Sequence, residues 1–288
     1  MNILLAGASG FVGDNLVRAL GAAGHTVRPV SRRHGLDLST MCTPADWCGL
    51  LDGVDAVINA AGIIGEHGSQ RFETLHTRIP LALFRACEQA GVRRVVQISA
   101  LGADAKAFSA FHRSKRAADE GLLRLDLDGL VVRPSLIYGL GGRSASVLMR
   151  LSTWPLMPVL ERGRQWVQPV HISDVVATVL RGLGGPLTQR VVDVAGPRTL
   201  TFADWMQTLR AAQGLPRGRL LHVPYRLALS AAWLGQALDP LLAPDNVRML
   251  HAGYCADVAP AERFLGRPLL APQARLLFED ASMLWSTP

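Results

Sequence analysis

The sequence predicts an α/β fold, a doubly wound parallel sheet with helices on both faces, followed by a smaller, mainly helical C-terminal lobe. Two observations predict the sheet. Short β-type runs alternate with helical patterns along the first two thirds of the chain, at the spacing of βαβ units. These runs are continuously apolar, as strands buried on both faces are. From residue 199 onward the pattern is mostly helical, which predicts the lobe.

The predicted elements of the sheet follow one another in a regular order. "NILLAG" is the first strand, a helix begins at Phe11, and "TVRPVS" is the second strand. "DAVINAAG" precedes a helix through "LALFRACEQAG", "RRVVQIS" precedes the helix that contains "FHRSKRAADE", and "LVVRPSLIYG" follows. Pro29 conflicts with an interior strand because proline cannot donate a ladder hydrogen bond. We therefore expect Pro29 at a strand end or at a bulge.

The pattern divides the chain into a core and a lobe. Residues 1–142 form the predicted core, which returns at about 165–198 as a strand and a helix capped near Ser173 or Asp174. Glycines, tryptophans and prolines interrupt the regularity in 143–164, which predicts an excursion away from the sheet. Residues 199–288 form the lobe, with helical patterns in "TFADWMQTLRAAQG", "YRLALSAAWLGQALDPLL" and "VAPAERFLG".

Composition narrows the classes of partner. The 288 residues carry a formal charge of +7, but the arginines are scattered singly and do not cluster on one face, so no nucleic acid is expected as a partner. Lys106 and Lys115 are the only lysines of the chain. A lysine at a motif position is therefore informative.

Other features bear on location. The four cysteines have neither C-x-x-C pairs nor the density of a disulfide scaffold, which predicts reduced thiols in a cytoplasmic protein. The N-terminus lacks the basic segment of a signal peptide. Leu220–Pro244 is the most apolar later stretch, but Pro224, Arg226 and Asp239 interrupt it, so no membrane span is predicted. The sequence leaves the oligomeric state open.

The segment "AGASGFVG" places three glycines between the first strand and the first helix. Gly7, Gly10 and Gly13 permit a tight turn, close approach of the backbone to a pyrophosphate, and packing of the helix on the strand. The helix N-terminus supplies amide donors for the phosphates. This position in an α/β chain predicts a dinucleotide site, although an ordinary strand-to-helix turn is the simpler alternative.

The end of the second strand bears on which dinucleotide binds. An acidic residue there would accept a hydrogen bond from a ribose 2′-hydroxyl, whereas arginine would pair with a 2′-phosphate. The chain has Ser31, Arg32 and Arg33, and its first acid there is Asp37. NADP(H) is therefore predicted in preference to NAD(H). The alternative is that both arginines are ordinary surface charges.

The glycine turn, "INAAG", "VVQISALGAD", the helix with Lys115, "RPSLIYG" and "VQPVHISDVV" occur in the order typical of one superfamily. Over about residues 1–200 the chain resembles an extended or atypical short-chain dehydrogenase/reductase. It looks most similar to the branch that contains the NADPH-binding accessory subunit of respiratory complex I and its bacterial relatives. The resemblance implies a Rossmann core, a C-terminal substrate lobe and a Ser/Tyr/Lys catalytic set.

Carried over by position, the resemblance gives the candidate catalytic residues Lys115, His112 and Ser99. Lys115 would hold the nicotinamide ribose, and Phe111 occupies the tyrosine position of the Y-x-x-x-K motif. His112, one residue later, is the polar alternative. Ser99 ends its strand, whereas relatives often carry the hydroxyl one or two residues further on, where this chain has Ala100 and Leu101.

The remaining predicted site residues surround the cofactor. The resemblance assigns His171 to the turn near the nicotinamide ribose and Tyr138 to a pocket wall. No His, Cys or carboxylate group has metal-ligand spacing, so no metal is predicted. The predicted cofactor contacts lie in the glycine turn, at strand ends and on the lysine helix: Gly7, Ser9, Gly10, Phe11, Val12, Gly13, Ser31, Arg32, Arg33, Asp37, Ala60, Ala61, Gly62, Lys115, Pro134 and Ile137.

Two functions remain open from the sequence. One is an NADP(H)-dependent oxidoreductase or epimerase-like enzyme in which His112 or another polar group replaces the tyrosine. The other is a non-catalytic NADP(H)-binding module, such as a redox sensor or an assembly subunit. Trp154, Met157, Trp166 and a Tyr225–Leu242 helix would make an apolar crevice for a small-molecule, quinone-like or lipid-like substrate. They would equally serve as core of the lobe.

Overall fold

A computed structural model describes residues 1–185, 190–279 and 281 of the chain. Its strands are β1 (Asn2–Ala6), β2 (Thr26–Val30), β3 (Ala56–Asn59), β4 (Arg94–Ile98), β5 (Asp128–Pro134), β6 (Ile137–Tyr138), β7 (Leu156–Leu160), β8 (Trp166–Val167), β9 (Val170–His171), β10 (Arg190–Val194), β11 (Leu200–Thr201) and β12 (Arg219–Val223).

The helices alternate with the strands in the first half of the chain and predominate after β12. They are α1 (Phe11–Ala22), α2 (Ala45–Cys48), α3 (Ile79–Ala90), α4 (Ala110–Leu123), α5 (Arg143–Ser152), α6 (Ile172–Leu183), α7 (Phe202–Ala212), α8 (Tyr225–Gly235), α9 (Pro244–Ala252), α10 (Ala259–Leu265) and α11 (Ala274–Phe278). A π-helical turn, Glu73–Arg78, precedes α3 directly.

A six-stranded parallel sheet forms the centre of the fold, in the order β10-β5-β4-β3-β1-β2. The chain leaves β1 towards β2 on one side and then crosses to β3 on the other. The sheet order therefore reverses between β1 and β3, and ligands of such sheets bind beyond the carboxyl ends of the strands at that reversal. The predicted doubly wound parallel sheet is confirmed.

Both faces of the sheet are covered by helices. Successive side chains of a strand point to opposite faces, so Ile3 and Leu5 pack in the cluster that includes Leu16 of α1 and Val176 of α6. Leu4 packs in the other cluster with residues of α2, α3 and α4. This sandwich explains the continuously apolar strands of the sequence.

Pro29 lies inside β2 without a bulge, because β2 is an edge strand. Val30 directs its carbonyl towards β1, where it accepts a hydrogen bond from the Gly7 amide at 2.9 Å. Adjacent residues of a strand direct their backbone groups to opposite sides, so the nitrogen of Pro29 points away from the sheet. The missing amide proton costs no ladder hydrogen bond there.

The C-terminal lobe has its own apolar cluster, in which Met157, Trp205 and Leu276 are buried. β7, from the predicted excursion, pairs in parallel with β12 of the lobe. Likewise, β8 pairs with β11. The 143–164 segment therefore packs with the lobe, and two short sheets accompany its helices.

His171 connects the core to the last described helix. Its Nδ1 accepts a hydrogen bond from the Ser173 amide at 3.3 Å and caps α6, two residues before the earliest predicted cap. The prediction of Ser173 or Asp174 as the cap is wrong, because both lie in the first turn of α6. The Nε2 atom faces the Leu276 carbonyl of α11 at 3.1 Å and donates to it.

Two further expectations can be compared with the structure. None of the described helices is long and apolar enough to cross a bilayer. The four cysteines, Cys42, Cys48, Cys87 and Cys255, are free thiols.

Replacing His171 should change how stability depends on pH. Burial lowers the pKa of His171 to about 4, although the Leu276 carbonyl opposes the shift. Between about pH 6.5 and pH 4 the unfolded chain binds a proton that the folded chain does not, so acid costs the wild type up to roughly 3 kcal/mol at this residue. His171→Gln keeps a donor for Leu276 and should lack that loss in urea unfolding measured across this window.

The other buried histidines contribute equally to wild type and variant, so the difference isolates His171. The matched control is His222→Gln, at an exposed histidine. Parallel pH profiles for wild type and His171→Gln would contradict the buried, neutral state of this ring.

Two glycines of α1 should respond oppositely to alanine. A Cβ on Gly13 would lie 2.1 Å from the Gly7 carbonyl oxygen, whereas a Cβ on Gly21 would meet no atom within 4 Å beyond its chain neighbours and its own helix backbone. Gly13→Ala should cost about 3 kcal/mol or more through overpacking. Gly21→Ala should add up to about 1 kcal/mol of helix propensity. Urea unfolding measures both, and equal effects would contradict the close turn.

Candidate functional site

The glycine turn brings the start of α1 against the end of β3. Gly7 has φ +82°, and a Cβ there would lie 2.6 Å from the Ala61 nitrogen. The Gly10 amide donates to the Gly7 carbonyl at 3.0 Å, and no side chain caps α1. Amides of the first turn of a helix have no intrahelical acceptors. The turn therefore offers these donors and the positive end of the helix dipole to an anion.

Two cavities flank this turn. One, of about 260 Å³, is lined by Gly7 and by residues after β2 and β3, including Ser31, Arg32, Asp37, Ala60, Ala61 and Gly62. The other, of about 360 Å³, is lined by Phe11, Arg33, Leu140 and Gly141, and Ser9 and Gly10 border both. Of the predicted cofactor residues, Val12, Gly13, Lys115, Pro134 and Ile137 are outside both linings, and Gly13 acts through the shape of the turn.

Lys115 lies at the carboxyl ends of the two central strands. Its Nζ donates to the Ile98 carbonyl of β4 at 3.0 Å and to the Ala61 carbonyl beyond β3 at 3.3 Å. A Cβ on Gly62 would lie 3.1 Å from that nitrogen. Burial lowers the pKa of Lys115 to about 8, and the Asp119 charge opposes this shift. The amine is thus held beside the 260 Å³ cavity.

Asp119, one turn after Lys115 on α4, binds Ser99 and Arg133. Its Oδ2 accepts hydrogen bonds from the Ser99 hydroxyl at 2.7 Å and from Arg133 Nε at 3.0 Å. Burial raises the pKa of Asp119 to about 6, against the effects of Ser99, Arg133 and Lys115. The proton of the Ser99 hydroxyl, a candidate catalytic group, is therefore donated to the Asp119 carboxylate in this structure.

His112 is buried and faces the C-terminal lobe. Its Nδ1 lies 3.0 Å from Ser109 Oγ and 3.2 Å from the Tyr254 hydroxyl. Burial lowers the pKa of His112 to about 4, opposed chiefly by a hydrogen bond to the Leu101 backbone. Since the neutral ring donates to the Leu101 carbonyl, we assign Nδ1 as the acceptor.

Phe111, at the formal tyrosine position, packs against the aromatic rings of Phe72 and His76. Its ring lies edge-on to Phe72 and His76, with centroids 5.9 and 5.4 Å away. His76 Nε2 accepts from the Ile63 amide at 2.9 Å, and its Nδ1 lies 3.0 Å from Ser114 Oγ. Burial, followed by the Lys115 charge, keeps the pKa of His76 well below its usual value. The ring is therefore neutral.

The predicted crevice residues of the lobe separate into two groups. Met157 is buried in the lobe core, whereas the side chains of Trp154 and Trp166 are about half exposed. Tyr138 is buried between the rings of His171 and Trp205, and its hydroxyl has no hydrogen-bond partner among the described residues. Burial raises the pKa of Tyr138.

Three residues of this site, Tyr254, His76 and Asp119, were not predicted from the sequence. Tyr254 lies 142 positions after His112, and no local pattern joins them. His76 gives no sequence signal that we can identify. Asp119 could have been found, because residues four apart on a helix share one face and Lys115 precedes it by four. No group of His, Cys, Asp and Glu in the described parts of the chain could hold a metal ion.

Comparison with known proteins gives matches along most of the chain. A model of the NAD dependent epimerase/dehydratase family matches residues 3–192. A ceramide reductase of Caulobacter vibrioides is 27% identical over 279 residues, covering 90% of this chain and 87% of that protein. The mitochondrial NADH dehydrogenase (ubiquinone) 1 alpha subcomplex subunit 9 of Mus musculus is 26% identical over 281 residues, covering 89% and 72%.

A solved structure shares the fold. UDP-N-acetylglucosamine 4-epimerase from Bacillus cereus aligns with a TM-score of 0.72 at 16% identity, covering 99% of this chain and 96% of the other. The family match spans the glycine turn, Lys115 and five of the six sheet strands, with part of β10. The predicted superfamily is confirmed: this chain belongs to the NAD dependent epimerase/dehydratase family.

Proposed function

We propose that this protein is an NADP(H)-dependent oxidoreductase that acts on an apolar, lipid-like carbonyl compound or the corresponding alcohol. The observation that carries the proposal is the buried amine of Lys115 beside the nucleotide cavity. Burying an amine is unfavourable unless it is paired. Two backbone carbonyls only partly satisfy its three donor positions, and cofactor ribose hydroxyls are suitable further partners.

The turn and its two cavities fit a dinucleotide. Gly7 and Gly13 leave no room for a Cβ, so the turn packs tightly against the protein backbone, and the α1 amides suit a pyrophosphate. Arg32 lines one cavity and Arg33 the other, and both side chains are exposed. Their guanidinium groups support a preference for a 2′-phosphate. When bound, the nicotinamide supplies or accepts the hydride.

Tyr254 is our candidate for the proton donor that Phe111 cannot be. The chain has three tyrosines. Tyr138 is enclosed by the lobe, and Tyr225 stacks on His251. Tyr254 packs against His112, with ring centroids 4.7 Å apart, and a Cβ on Gly102 would lie 2.3 Å from its ring. It is the tyrosine beside the start of α4 and the loop after β4.

The contacts of His112 leave a proton available on Tyr254. Neutral Nδ1 has one lone pair, and Ser109 Oγ at 3.0 Å competes for it with the Tyr254 hydroxyl at 3.2 Å. While Ser109 donates to Nδ1, Tyr254 can donate to a substrate carbonyl oxygen. Burial raises the pKa of Tyr254 to about 12. The phenol therefore keeps its proton until the developing alkoxide takes it.

The name of the Caulobacter relative supports a lipid substrate class. A second function is favoured by a specific observation, which is that Phe111 at the formal tyrosine position packs in an aromatic cluster. A non-catalytic NADP(H)-binding subunit needs the nucleotide cavity and Lys115 but no proton donor. The complex I subunit similar to this chain supports that alternative.

The cofactor preference should depend on Arg32 and Arg33. Each charge-assisted contact with a 2′-phosphate contributes roughly 1.5–3 kcal/mol, so Arg32→Gln/Arg33→Gln should weaken NADPH binding on the order of a hundredfold or more and change NADH binding little. Calorimetry measures both affinities, with Arg85→Gln on the exposed side of α3 as a matched control. Equal losses for NADPH and NADH would contradict this role.

Tyr254→Phe should abolish turnover while leaving cofactor affinity unchanged. Loss of a general acid lowers kcat by about 10²–10⁴-fold. NADPH oxidation is measured against long-chain ketones, ceramide precursors and quinones, with Tyr225→Phe as the matched control. Full turnover by Tyr254→Phe would contradict the proton role. Turnover by Phe111→Tyr alone, with none in the wild type, would support the non-catalytic alternative.

A further inference from the structure

One face of α8 is apolar and exposed to solvent. The exposed fractions of the side chains are 60% for Leu227, 80% for Leu234 and 86% for Leu238. Leucines seven and four residues apart lie on one side of a helix, and backbone hydrogen bonds from Gln236 and Leu238 continue the helical turn beyond Gly235. Trp233, 58% exposed, borders this stripe. We call these four side chains the α8 face.

Exposing several large apolar side chains together to water is unfavourable. Scattered apolar side chains are normal on protein surfaces, but a contiguous group of large ones marks a binding surface. Ala232 and Gly235 on the opposite side of α8 are buried, so the helix already packs on the lobe through its small residues. The large residues face outward.

The charged side chains of residues 215–238 are all arginines, and Asp239, which follows Leu238, is paired with Arg143. Residues 215–238 contain Arg217, Arg219 and Arg226 but no Asp or Glu, and the three arginines are exposed. Arg226 precedes Leu227 and lies on the Trp233 side of the helix. A helix with Leu and Trp on one face and flanking arginine is the pattern of a segment that lies in the interface of an anionic bilayer.

The segment after α8 contacts α5, the loop after β3 and the start of α4. Asp239 pairs with Arg143 at 2.9 Å, and the Pro240 carbonyl would lie 2.3 Å from a Cβ on Gly65. The Asp245 carboxylate accepts a hydrogen bond from the Ala110 amide at the start of α4, at 3.0 Å. The α8 face is thus joined directly to segments that surround Lys115 and Tyr254.

We propose that the α8 face binds the surface of an anionic membrane, with Leu227, Trp233, Leu234 and Leu238 inserted among the acyl chains and the arginines at the headgroups. Bound in this way, the segment from Asp239 to Asp245 lies next to the bilayer. The lipid-like substrate of the proposed function could then enter the protein without crossing water. This step rests on the proposed function. Membrane binding itself holds whether or not the protein is an enzyme.

An anionic bilayer suits this surface better than a second copy of the chain. Two copies joined through the α8 face would bring their Arg226 side chains together, and α8 itself carries no acidic residue to compensate them. Like charges at an interface oppose association. Anionic headgroups supply the opposite charge.

Vesicle co-sedimentation of the full-length protein tests the proposal without cofactor. Wild type should bind phosphatidylcholine/phosphatidylglycerol vesicles more tightly than phosphatidylcholine vesicles. Leu234→Gln/Leu238→Gln keeps charge and helix propensity, and should weaken binding about 100-fold, roughly tenfold for each leucine withdrawn from the bilayer. Arg226→Gln should weaken binding about fivefold, with phosphatidylglycerol vesicles only.

The matched control is Val191→Thr, which removes an exposed apolar group from β10 on the sheet and should leave binding unchanged. NADPH affinity is measured for every variant, so failure of vesicle binding is distinguishable from failure of the nucleotide site. Equal vesicle binding by wild type and the double leucine variant would overturn the proposal. So would a wild-type dimer that the leucine substitutions dissociate, because the occupant would then be a second copy.

Discussion

The candidate site depends on the burial of one amine at the ends of β3 and β4. Lys115 can remain there because two strand-end carbonyls accept its hydrogen bonds. The same amine constrains its neighbours. A Cβ on Gly62 would crowd the amine, the Lys115 charge adds to burial in keeping His76 neutral, and Asp119 supplies an opposite charge one helical turn away. Gly7 of the glycine turn and Gly62 beside the amine line the same cavity.

The sequence predicted the parts of this protein that local rules determine. Apolar runs predicted the sheet because its strands are covered on both faces, and glycine spacing predicted the turn because a Cβ on Gly13 would collide with Gly7. Lys115 could be assigned since its motif is contained within one helix. Pro29 conflicted with the pattern only until the strand order identified β2 as an edge.

The features that the sequence did not predict depend on contacts between distant parts of the chain. Tyr254 contacts His112 because the lobe packs on the core. β7 pairs with β12, although more than fifty residues separate the two strands. The cap of α6 was assigned to conventional capping residues, whereas a histidine ring fills that role because α11 holds its other nitrogen. Met157 and Trp154 are both apolar, so the sequence does not distinguish them. Met157 is buried and Trp154 is half exposed only because of how the lobe packs.

The contact between Tyr254 and Gly102 has a consequence for evolution. Gly102 has φ +93°, and its missing side chain leaves the space that the tyrosine ring fills. A β-carbon at position 102 and an aromatic ring at position 254 exclude each other sterically. Across descendants of this gene the two positions should therefore covary, even though 152 residues of chain separate them. A homologue with a side chain at the first position should carry a small residue at the second.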